Sequence, residues 1–537
     1  MFKNICMKHQ FSKLFVGLLG VIYLLSSCQK GNLLSNPNVT ADNSTVPASL
    51  ILNHITSNLM REEEPVISQV YKWNQFIVSN YSYYFGSNAY NWSNTSDTYD
   101  NIKYCVKMEE QAQKQYNNST NVYFALSKFF RAYSFIWLTQ RVGDIPMSQA
   151  GNPVILTPAY DTQHDVYKNS LALLDTANTL IAALISPANK DKVVDASGDI
   201  FGLTYQQWQK VINTYKLRVL ISLSKRADDN ADLNIKNQFA TILSNPGKYP
   251  VMTSNNDNMT YKYTTITLYP PNRSGYSPYN NCENINQSFY AVTAAYNDPR
   301  IFALSCPAPA QISGGKAVSD FTAYVGEDNN KSQALMSSFT ADGQHSSLSY
   351  NRYMSSASGA NCEPYILIGY PELCFNIAEA ANRGWVTGTS TQTWYLNGIN
   401  ASMSLYGLSQ GKTIVVGNND GTKPNLGTVT VDINGFLSNP NVAYSGDNAS
   451  GLAQILTQKY VAFFMNSGYE AFYNWRRTGV PNFNQGGAGV GTPSNKIPLR
   501  WQYPQGEINY NNKNYQAALQ SQFGGTDDIN AKMWLIK

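Results

Sequence analysis

The sequence predicts a mainly α-helical protein in which helix pairs form a scaffold interrupted by long, irregular, aromatic-rich loops, with minor β structure. Two segments, Leu126–Trp137 and Trp208–Leu223, repeat apolar side chains every three or four residues, as one face of a helix does. By contrast, residues 245–360 and 407–450 are rich in Gly, Asn, Ser, Pro and Tyr and show little helical periodicity. Aromatic residues make up 13% of the chain, so these loops contain rings that can pack or bind.

The N-terminus predicts a lipoprotein signal peptide over residues 1–27. Three lysines precede an apolar run of about a dozen residues, which is too short to span a membrane as a helix. The run ends in Leu25-Ser26-Ser27-Cys28, which resembles the bacterial lipobox, whose cysteine receives a diacylglyceryl group and fatty acid such as palmitate. We therefore expect Cys28 to be lipidated and its acyl chains to hold the protein at a membrane.

Residues 28–46 follow the signal peptide as a polar, Asn- and Ser-rich stretch, which predicts a flexible tether for a single domain over 47–537. The chain has 39 Lys and Arg against 35 Asp and Glu, and three of the lysines leave with the signal peptide. The mature protein is therefore close to neutral. Because phosphate recognition requires clustered Lys and Arg, this balance argues against a nucleic acid partner.

Helical periodicity and turn signals predict the remaining helices in order. Gly143, followed by Pro146, is a stop signal for a helix over 121–140. The other predicted helices cover 49–62, 65–79, 98–116, 163–185, 364–383, 391–406, 451–466 and 512–522. Short polar turns join many of them, which favours stacked helix–turn–helix pairs, although no clean 34-residue consensus is present. Two short alternating segments, Thr413–Val416 and Thr428–Val431, predict small strands.

The reactive side chains predict neither a metal site nor a cofactor, although a structural cation remains an alternative. The chain has four histidines, none close to another in sequence, and no Cys-x-x-Cys pair. Five irregularly spaced cysteines predict buried free thiols, with one or two disulfides as the alternative. These cysteines are Cys105, Cys282, Cys306, Cys362 and Cys374. No nucleophile elbow, phosphate loop or metalloprotease motif occurs, so we predict no enzyme, and a glycosidase with two carboxylates is the alternative.

Aromatic and amide side chains crowd three segments in a way that suits neutral sugars. Sugar rings stack their C–H faces on aromatic rings, while amide and guanidinium groups bond the hydroxyls. The candidate ligand contacts are Tyr83, Tyr84 and Trp92 in the first segment and Tyr269, Arg273, Tyr276, Tyr279 and Asn280 in the second. A third, sparser cluster lies around Tyr324 and Tyr350–Tyr353. Packing of the rings on the scaffold is the alternative, and it is the favoured interpretation for Trp92.

Short motifs also occur along almost the whole chain in one collinear order. They include Asn36-Pro37-Asn38, Arg141-Val-Gly-Asp-Ile-Pro146, Lys216-Leu-Arg218, Asp298-Pro-Arg300, Trp475-Arg-Arg-Thr-Gly479 and Tyr503-Pro-x-x-Glu507. Each motif alone is weak, but the ordered set resembles the SusD/RagB family of Bacteroidetes outer-membrane lipoproteins, in its SusD-like branch. Arg141, Asp144 and Trp475–Arg477 are expected to maintain the fold rather than to contact ligand.

This resemblance implies tetratricopeptide-like helix pairs that support a loop-built ligand surface. It also implies a lipoprotein that binds a neutral glycan and caps a SusC-like TonB-dependent β-barrel transporter. Peptide binding is the alternative within the family, and a surface glycoside hydrolase or an adhesin are alternatives outside it. We expect the protein to face the cell exterior, although Gln29-Lys30-Gly31-Asn32 lacks the acidic residues that often accompany surface export.

Overall fold

Helices build most of the scaffold. The computed structural model describes residues 45–62, 67–81, 86–90, 92–263, 269, 282–354, 363–420, 422–485 and 496–537. In chain order the helices are α1 (Ala48–Glu62), α2 (Gln69–Trp73), α3 (Tyr99–Tyr116), α4 (Val122–Val142), α5 (Gln163–Leu184), α6 (Tyr205–Ser222), α7 (Ile235–Ser244), α8 (Gln287–Tyr290), α9 (Ile301–Leu304), α10 (Pro309–Ser313), α11 (Gln333–Ala341), α12 (Tyr350–Tyr353), α13 (Tyr370–Asn382), α14 (Thr391–Leu405), α15 (Ile433–Leu437), α16 (Ala449–Ala462), α17 (Glu470–Thr478), α18 (Gln505–Tyr510) and α19 (Asn512–Phe523). The prediction of a mainly α-helical protein is confirmed.

The two apolar stripes found in the sequence face each other in the core. Phe129 and Phe130 of α4 pack edge-on against Trp208 of α6, with ring centroids 5.5 and 5.7 Å apart. The start of α6 is fixed by Thr204, whose hydroxyl accepts from the Gln207 N–H while the Gln207 side chain accepts from the Thr204 N–H. Burial of both stripes at one interface explains why these two helices could be predicted.

Helices that are neighbours in sequence pack on each other, as expected for helix pairs. The pairs α3–α4, α4–α5, α5–α6 and α13–α14 are in contact, and α6 also reaches α13. Arg218 of α6 fastens this last contact, because its Nε donates to Glu372 Oε1 over 2.7 Å and its Nη2 donates to the Leu367 carbonyl. The early and late helices thereby form one scaffold, and the chain from Pro47 onward clusters as one compact unit.

The strands form three two-stranded antiparallel ladders. They are β1 (Ile77–Ser79), β2 (Met259–Tyr261), β3 (Glu283–Ile285), β4 (Tyr365–Ile368), β5 (Thr413–Val416) and β6 (Gly427–Thr430). β1 pairs with β3, β2 with β4, and β5 with β6. The β5–β6 hairpin agrees with the two strands predicted from alternation. Its register places Thr413 opposite Thr430.

Two predicted helices are wrong in part. Residues 65–79 contain the short helix α2 and then β1, because Gln75 has a positive φ of 55° that ends the helix, and the β-branched Ile77 and Val78 pair with β3. Residues 364–383 begin as β4 and become helical only at Tyr370, where Pro371 suits the first turn of a helix. In both cases the strand partner is distant in sequence, so local periodicity could not reveal it.

The motif residues expected to maintain the fold do so in the structure. Arg477 of α17 is buried against Glu379 of α13, with Nη2 2.8 Å from Oε2. Asp144 Oδ1 accepts from the Gln163 N–H at the start of α5 over 2.7 Å. Among the cysteines, the structure shows Cys105, Cys282, Cys306 and Cys374 as free thiols, and Cys362 lies outside the described residues.

Candidate functional site

The β1–β3 ladder joins the first two aromatic clusters to the scaffold at one place. Ser79, the last residue of β1, lies opposite Glu283, the first residue of β3, and the Asn80 N–H donates to the Cys282 carbonyl over 3.0 Å. The segment that follows β1 and the segment that precedes β3 therefore start from adjacent backbone positions. Sequence separation of about 200 residues concealed this proximity.

Helix α11 supports this end of the ladder. Asn80 Nδ2 and Asn284 Nδ2 both donate to Thr340 Oγ1, over 3.0 and 2.6 Å. From the first turn of the helix, Gln333 Nε2 donates to the carbonyls of Ser79 and Gly86 over 3.2 and 3.1 Å. We call this region, defined by Asn80, Tyr81, Asn88 and α11, the loop-bearing face.

Side chains and backbone flank both strands of the ladder. Asn88 lies beside β1, since its Oδ1 accepts from the Ser79 N–H and its Nδ2 donates to the Ser79 carbonyl, each over 2.7 Å. On the other side, the Ile285 N–H of β3 donates to the Ser346 carbonyl over 2.9 Å. The outward-facing backbone groups of Ser79 in β1 and the N–H of Ile285 in β3 are thereby hydrogen-bonded outside the ladder.

The segment that returns from the loop-bearing face, residues 87–89, is hydrogen-bonded to the first and last residues of α2. Gln69 Nε2 donates to the Ser87 carbonyl over 3.0 Å, and Trp73 Nε1 donates to the Ala89 carbonyl over 3.1 Å. Tyr81, before the undescribed residues 82–85, is 40% exposed. An exposed ring next to rigidly held backbone suits a surface that stacks on a ligand.

A buried ion pair lies beneath the face. Lys72 Nζ is 3.1 Å from Glu283 Oε1, and each side chain is 4% exposed. Burial raises the pKa of the Glu283 carboxyl, and the charge of Lys72 offsets part of that rise. Glu283 is thus paired with a cation and shielded from solvent. Within the described residues, no group of three or more His, Cys, Asp or Glu side chains could hold a metal ion.

The structure places the predicted contacts in different environments. Six of them lie outside the described residues and remain predictions, as does lipidation of Cys28. These six are Tyr83, Tyr84, Arg273, Tyr276, Tyr279 and Asn280. Trp92 is only 5% exposed and stacks on Trp501 with centroids 3.7 Å apart, so we assign it to the core, which was the favoured interpretation. Tyr269 is fully buried, with its ring 5.2 Å from that of Tyr263.

Helix α11, which contributes the amide and hydroxyl groups that hold the face together, is not among the helices predicted from the sequence. A signal was present, because Ser332 caps the helix by accepting from the Leu335 N–H and Met336 is the buried residue of the helix. The third aromatic cluster packs inward at two of its tyrosines. Tyr353 is fully buried, and the buried Tyr324 donates its hydroxyl to the Val318 carbonyl.

Comparison with known proteins identifies the family to which this chain belongs. A family model named SusD-like_2 and described as starch-binding and associating with the outer membrane matches residues 37–504. The chain therefore belongs to the SusD-like family of outer-membrane-associated proteins. Among curated proteins, no significant match was found. Among the described residues, no helix combines the length and apolar content needed to cross a membrane.

Solved structures of SusD homologues share the fold over most of the chain. One from Bacteroides fragilis is 27% identical with a TM-score of 0.77 and covers 91% of this chain and 100% of its own. A second from the same species is 30% identical with a TM-score of 0.72 and covers 92% and 99%. A chitin-binding homologue from Flavobacterium johnsoniae is 20% identical with a TM-score of 0.66 and covers 91% and 97%, a likeness of fold alone.

Proposed function

We propose that this chain is a lipid-anchored, non-enzymatic binding protein that captures a neutral glycan on the loop-bearing face and delivers it to a SusC-like TonB-dependent transporter. Membership of the SusD-like family supports the class of function. The observation that carries the proposal is the β1–β3 ladder, which brings Asn80 and Cys282 to adjacent backbone positions; each lies at the ladder end of a segment rich in Tyr and Asn in the sequence. Ring faces and amides presented together are the groups that recognise uncharged sugars.

The mechanism rests on stacking and hydrogen bonding rather than on charge. Charged residues are only 14% of the chain, and the carboxyl at the ladder end is paired with Lys72. The exposed Tyr81 ring, together with Tyr83, Tyr84, Tyr276 and Tyr279, would cover C–H faces of the sugar, and Arg273 and Asn280 would bond its hydroxyls. Peptide binding is the second candidate, because Asn side chains bond peptide groups as readily as they bond hydroxyls.

Calorimetry of the mature chain against neutral oligosaccharides and mixed peptides tests the ligand class. We expect saturable binding of an intact sugar. Substitution of both Tyr276 and Tyr279 by Ala should weaken this binding about tenfold or more, since each stacking interaction of an aromatic ring contributes about 0.5–1.5 kcal/mol beyond its buried area. Tyr510→Ala is the matched control, because Tyr510 lies on α18 and is 79% exposed. Unchanged affinity in the double variant would refute the loop assignment. Cleaved sugar in the recovered ligand would refute a non-enzymatic role.

Membrane preparations test the anchor and the partner. We expect Cys28→Ser to abolish incorporation of labelled palmitate and to release the protein from the outer-membrane fraction.

A large β-barrel should copurify with the wild-type chain in mild detergent. Recovery of the intact lipoprotein without any barrel would count against delivery to a transporter, and protease resistance of the protein on whole cells would count against an exterior location.

A further inference from the structure

An open groove lies at the opposite end of the β1–β3 ladder from the loop-bearing face. It has a volume of about 740 Å³, within the range of ligand sites. One wall is α8 with the residues that follow it, and the other wall is the turn over residues 479–484 after α17. We call it the α8 groove. Since each residue of a strand adds about 3.3 Å, the five residue steps from Cys282 to Gln287 put the edges of the two surfaces at most about 17 Å apart.

A buried glutamine holds the two walls of the α8 groove together. Gln75 is fully buried, and its Oε1 accepts from Ser288 Oγ over 2.9 Å and from the Asn484 N–H over 3.0 Å. Its Nε2 donates to the Asn484 carbonyl over 2.9 Å and to the Tyr90 hydroxyl over 3.1 Å. The same side chain thus fixes both walls and the segment that returns from the loop-bearing face. A groove fixed in this way needs little reorganisation on binding.

The lining of the α8 groove suits an uncharged, hydroxyl-rich ligand. Gln287 and Asn482 are exposed, and neither side chain has a hydrogen-bond partner among the described residues. No Lys, Arg or His is among the described residues that line it, which disfavours anionic ligands. Asp328 is the one carboxylate of that lining, and its Oδ1 already accepts from the Asn330 N–H over 2.9 Å. Tyr296 supplies a ring on the α8 side.

The backbone of the groove favours a sugar over an extended peptide. Peptides commonly add as a strand to an exposed backbone edge. In the turn that forms one wall, both the N–H and the carbonyl of Asn484 are bonded to Gln75, so that residue offers no such edge. The groove also presents side-chain amides, each of which donates and accepts and can bond sugar hydroxyls, but the bonded backbone of Asn484 is what disfavours a peptide.

We propose that the α8 groove is a second binding site, for a neutral, hydroxyl-rich chain, and that it holds a further stretch of the glycan captured on the loop-bearing face. This inference rests on the proposed function, because it assigns the ligand as a polymer long enough to reach both surfaces. Engagement of two linked sites raises affinity well above that of either alone. The protein therefore discriminates long glycan chains from short ones.

Hydrogen–deuterium exchange of the full mature chain in mild detergent tests the site directly. The probes are maltoheptaose, chitohexaose and, as a peptide control, hexaglycine. We expect one of the two glycans to slow exchange in residues 287–296 and 479–484 as well as in residues 80–90. Protection of residues 80–90 alone would overturn the α8 groove and leave the proposed function standing. Protection of the groove alone would overturn the loop-bearing face, and protection of neither would overturn both. Protection of the groove by hexaglycine but by neither glycan would overturn its assignment to sugars.

Two variants test discrimination by length, using the glycan that protects and its trimer. Gln287→Ala combined with Asn482→Ala should weaken binding of the long chain by about tenfold or more, because one of two linked sites is lost. The trimer should bind the variant as it binds the wild type at the loop-bearing face. Gln392→Ala, an exposed amide of α14 outside the groove, is the matched control. Equal affinity of the double variant and the wild type for the long chain would refute the second site.

Discussion

At the scale of single residues, buried charges connect parts of the chain that lie far apart in sequence. Glu379 of α13 is fully buried and accepts from Arg477 of α17 and from Arg383, whose Nε lies 2.9 Å from Glu379 Oε1. Burial alone would raise the pKa of the Glu379 carboxyl, but the charge and hydrogen bonds of Arg477 outweigh it and hold the pKa at about 2. The carboxylate therefore stays ionised inside the scaffold.

Removing this charge should destabilise the protein strongly. We expect Glu379→Gln to cost about 3–5 kcal/mol of unfolding free energy, because it leaves the buried Arg477 guanidinium without its counter-charge. Glu110→Gln on α3 is the matched control: Glu110 pairs with Lys107 and Lys114, is 47% exposed, and should cost less than about 1 kcal/mol. Urea denaturation measures both. Equal losses in the two variants would contradict a specific role for the buried pair.

The same carboxyl predicts a pH dependence. The contribution of Glu379 should be complete above its ordinary pKa of 4.5 and be lost as the pH falls towards the folded value of about 2. Comparison of the wild type with Glu379→Gln isolates this effect from other titrating groups. We expect the gap between their unfolding free energies to narrow by about 2 kcal/mol between pH 6 and pH 3. A gap that stays constant over this range would contradict a depressed pKa.

At the scale of elements, the contact between α13 and α14 depends on one small residue. A Cβ atom placed on Gly398 of α14 would lie 2.7 Å from the ring of Phe375 on α13, and Phe375 is fully buried. The close approach of the two helices therefore excludes any side chain at position 398. Helix propensity alone would favour Ala over Gly here, so packing and propensity predict opposite outcomes.

We expect packing to win at this position. Gly398→Ala should lower the unfolding free energy by about 1–3 kcal/mol, the usual cost of overpacking. Gly506→Ala on α18, where the added Cβ meets nothing within 4 Å, should instead raise it by about 0.5 kcal/mol. Thermal melts of the two variants provide the measurement. A Gly398→Ala protein more stable than the wild type would show that α13 and α14 can move apart without loss of unfolding free energy.

A helix or strand could be predicted from the sequence when its pattern is local, and could not when it depends on pairing with a distant segment. The stripes of α4 and α6 were visible because each helix buries a regular face of its own sequence, as Phe129 and Trp208 show. Strands β1 and β4 were mistaken for helix because their partners, β3 and β2, are about 200 and 100 residues away. The loop-bearing face was predicted only as separate aromatic clusters, since Asn80 and Cys282 meet through tertiary pairing.

At the scale of the whole molecule, the end of the chain packs back onto the helical scaffold. Leu535 donates its N–H to Gln163 Oε1 at the start of α5 over 2.9 Å, and the Trp534 ring lies edge-on 5.6 Å from that of His164. Met533, Leu535 and Ile536 are buried. Residues 533–536 thus pack against the start of α5 and are part of the core.

Deletion of residues 531–537 should therefore destabilise the protein. We expect a loss of about 5 kcal/mol, because three buried apolar side chains contribute about 1.5–3 kcal/mol each. Deletion of residues 29–44 is the control and should leave the melting temperature unchanged, because the sequence predicts a flexible tether there. Calorimetric melts distinguish the two cases. An unaltered melting temperature after the C-terminal deletion would contradict a role for these residues in the core.

The side-chain and backbone groups that flank the β1–β3 ladder have a consequence for crowding. Exposed strand edges are templates on which a second chain can add, the first step of sheet aggregation. In this protein the Asn88 side chain bonds both the N–H and the carbonyl of Ser79 on one edge. On the other edge the Ile285 N–H donates to the Ser346 carbonyl. When copies of the protein are crowded on a membrane, these backbone groups are therefore already hydrogen-bonded. A strand of a neighbouring copy could not pair with the β1–β3 ladder at those positions.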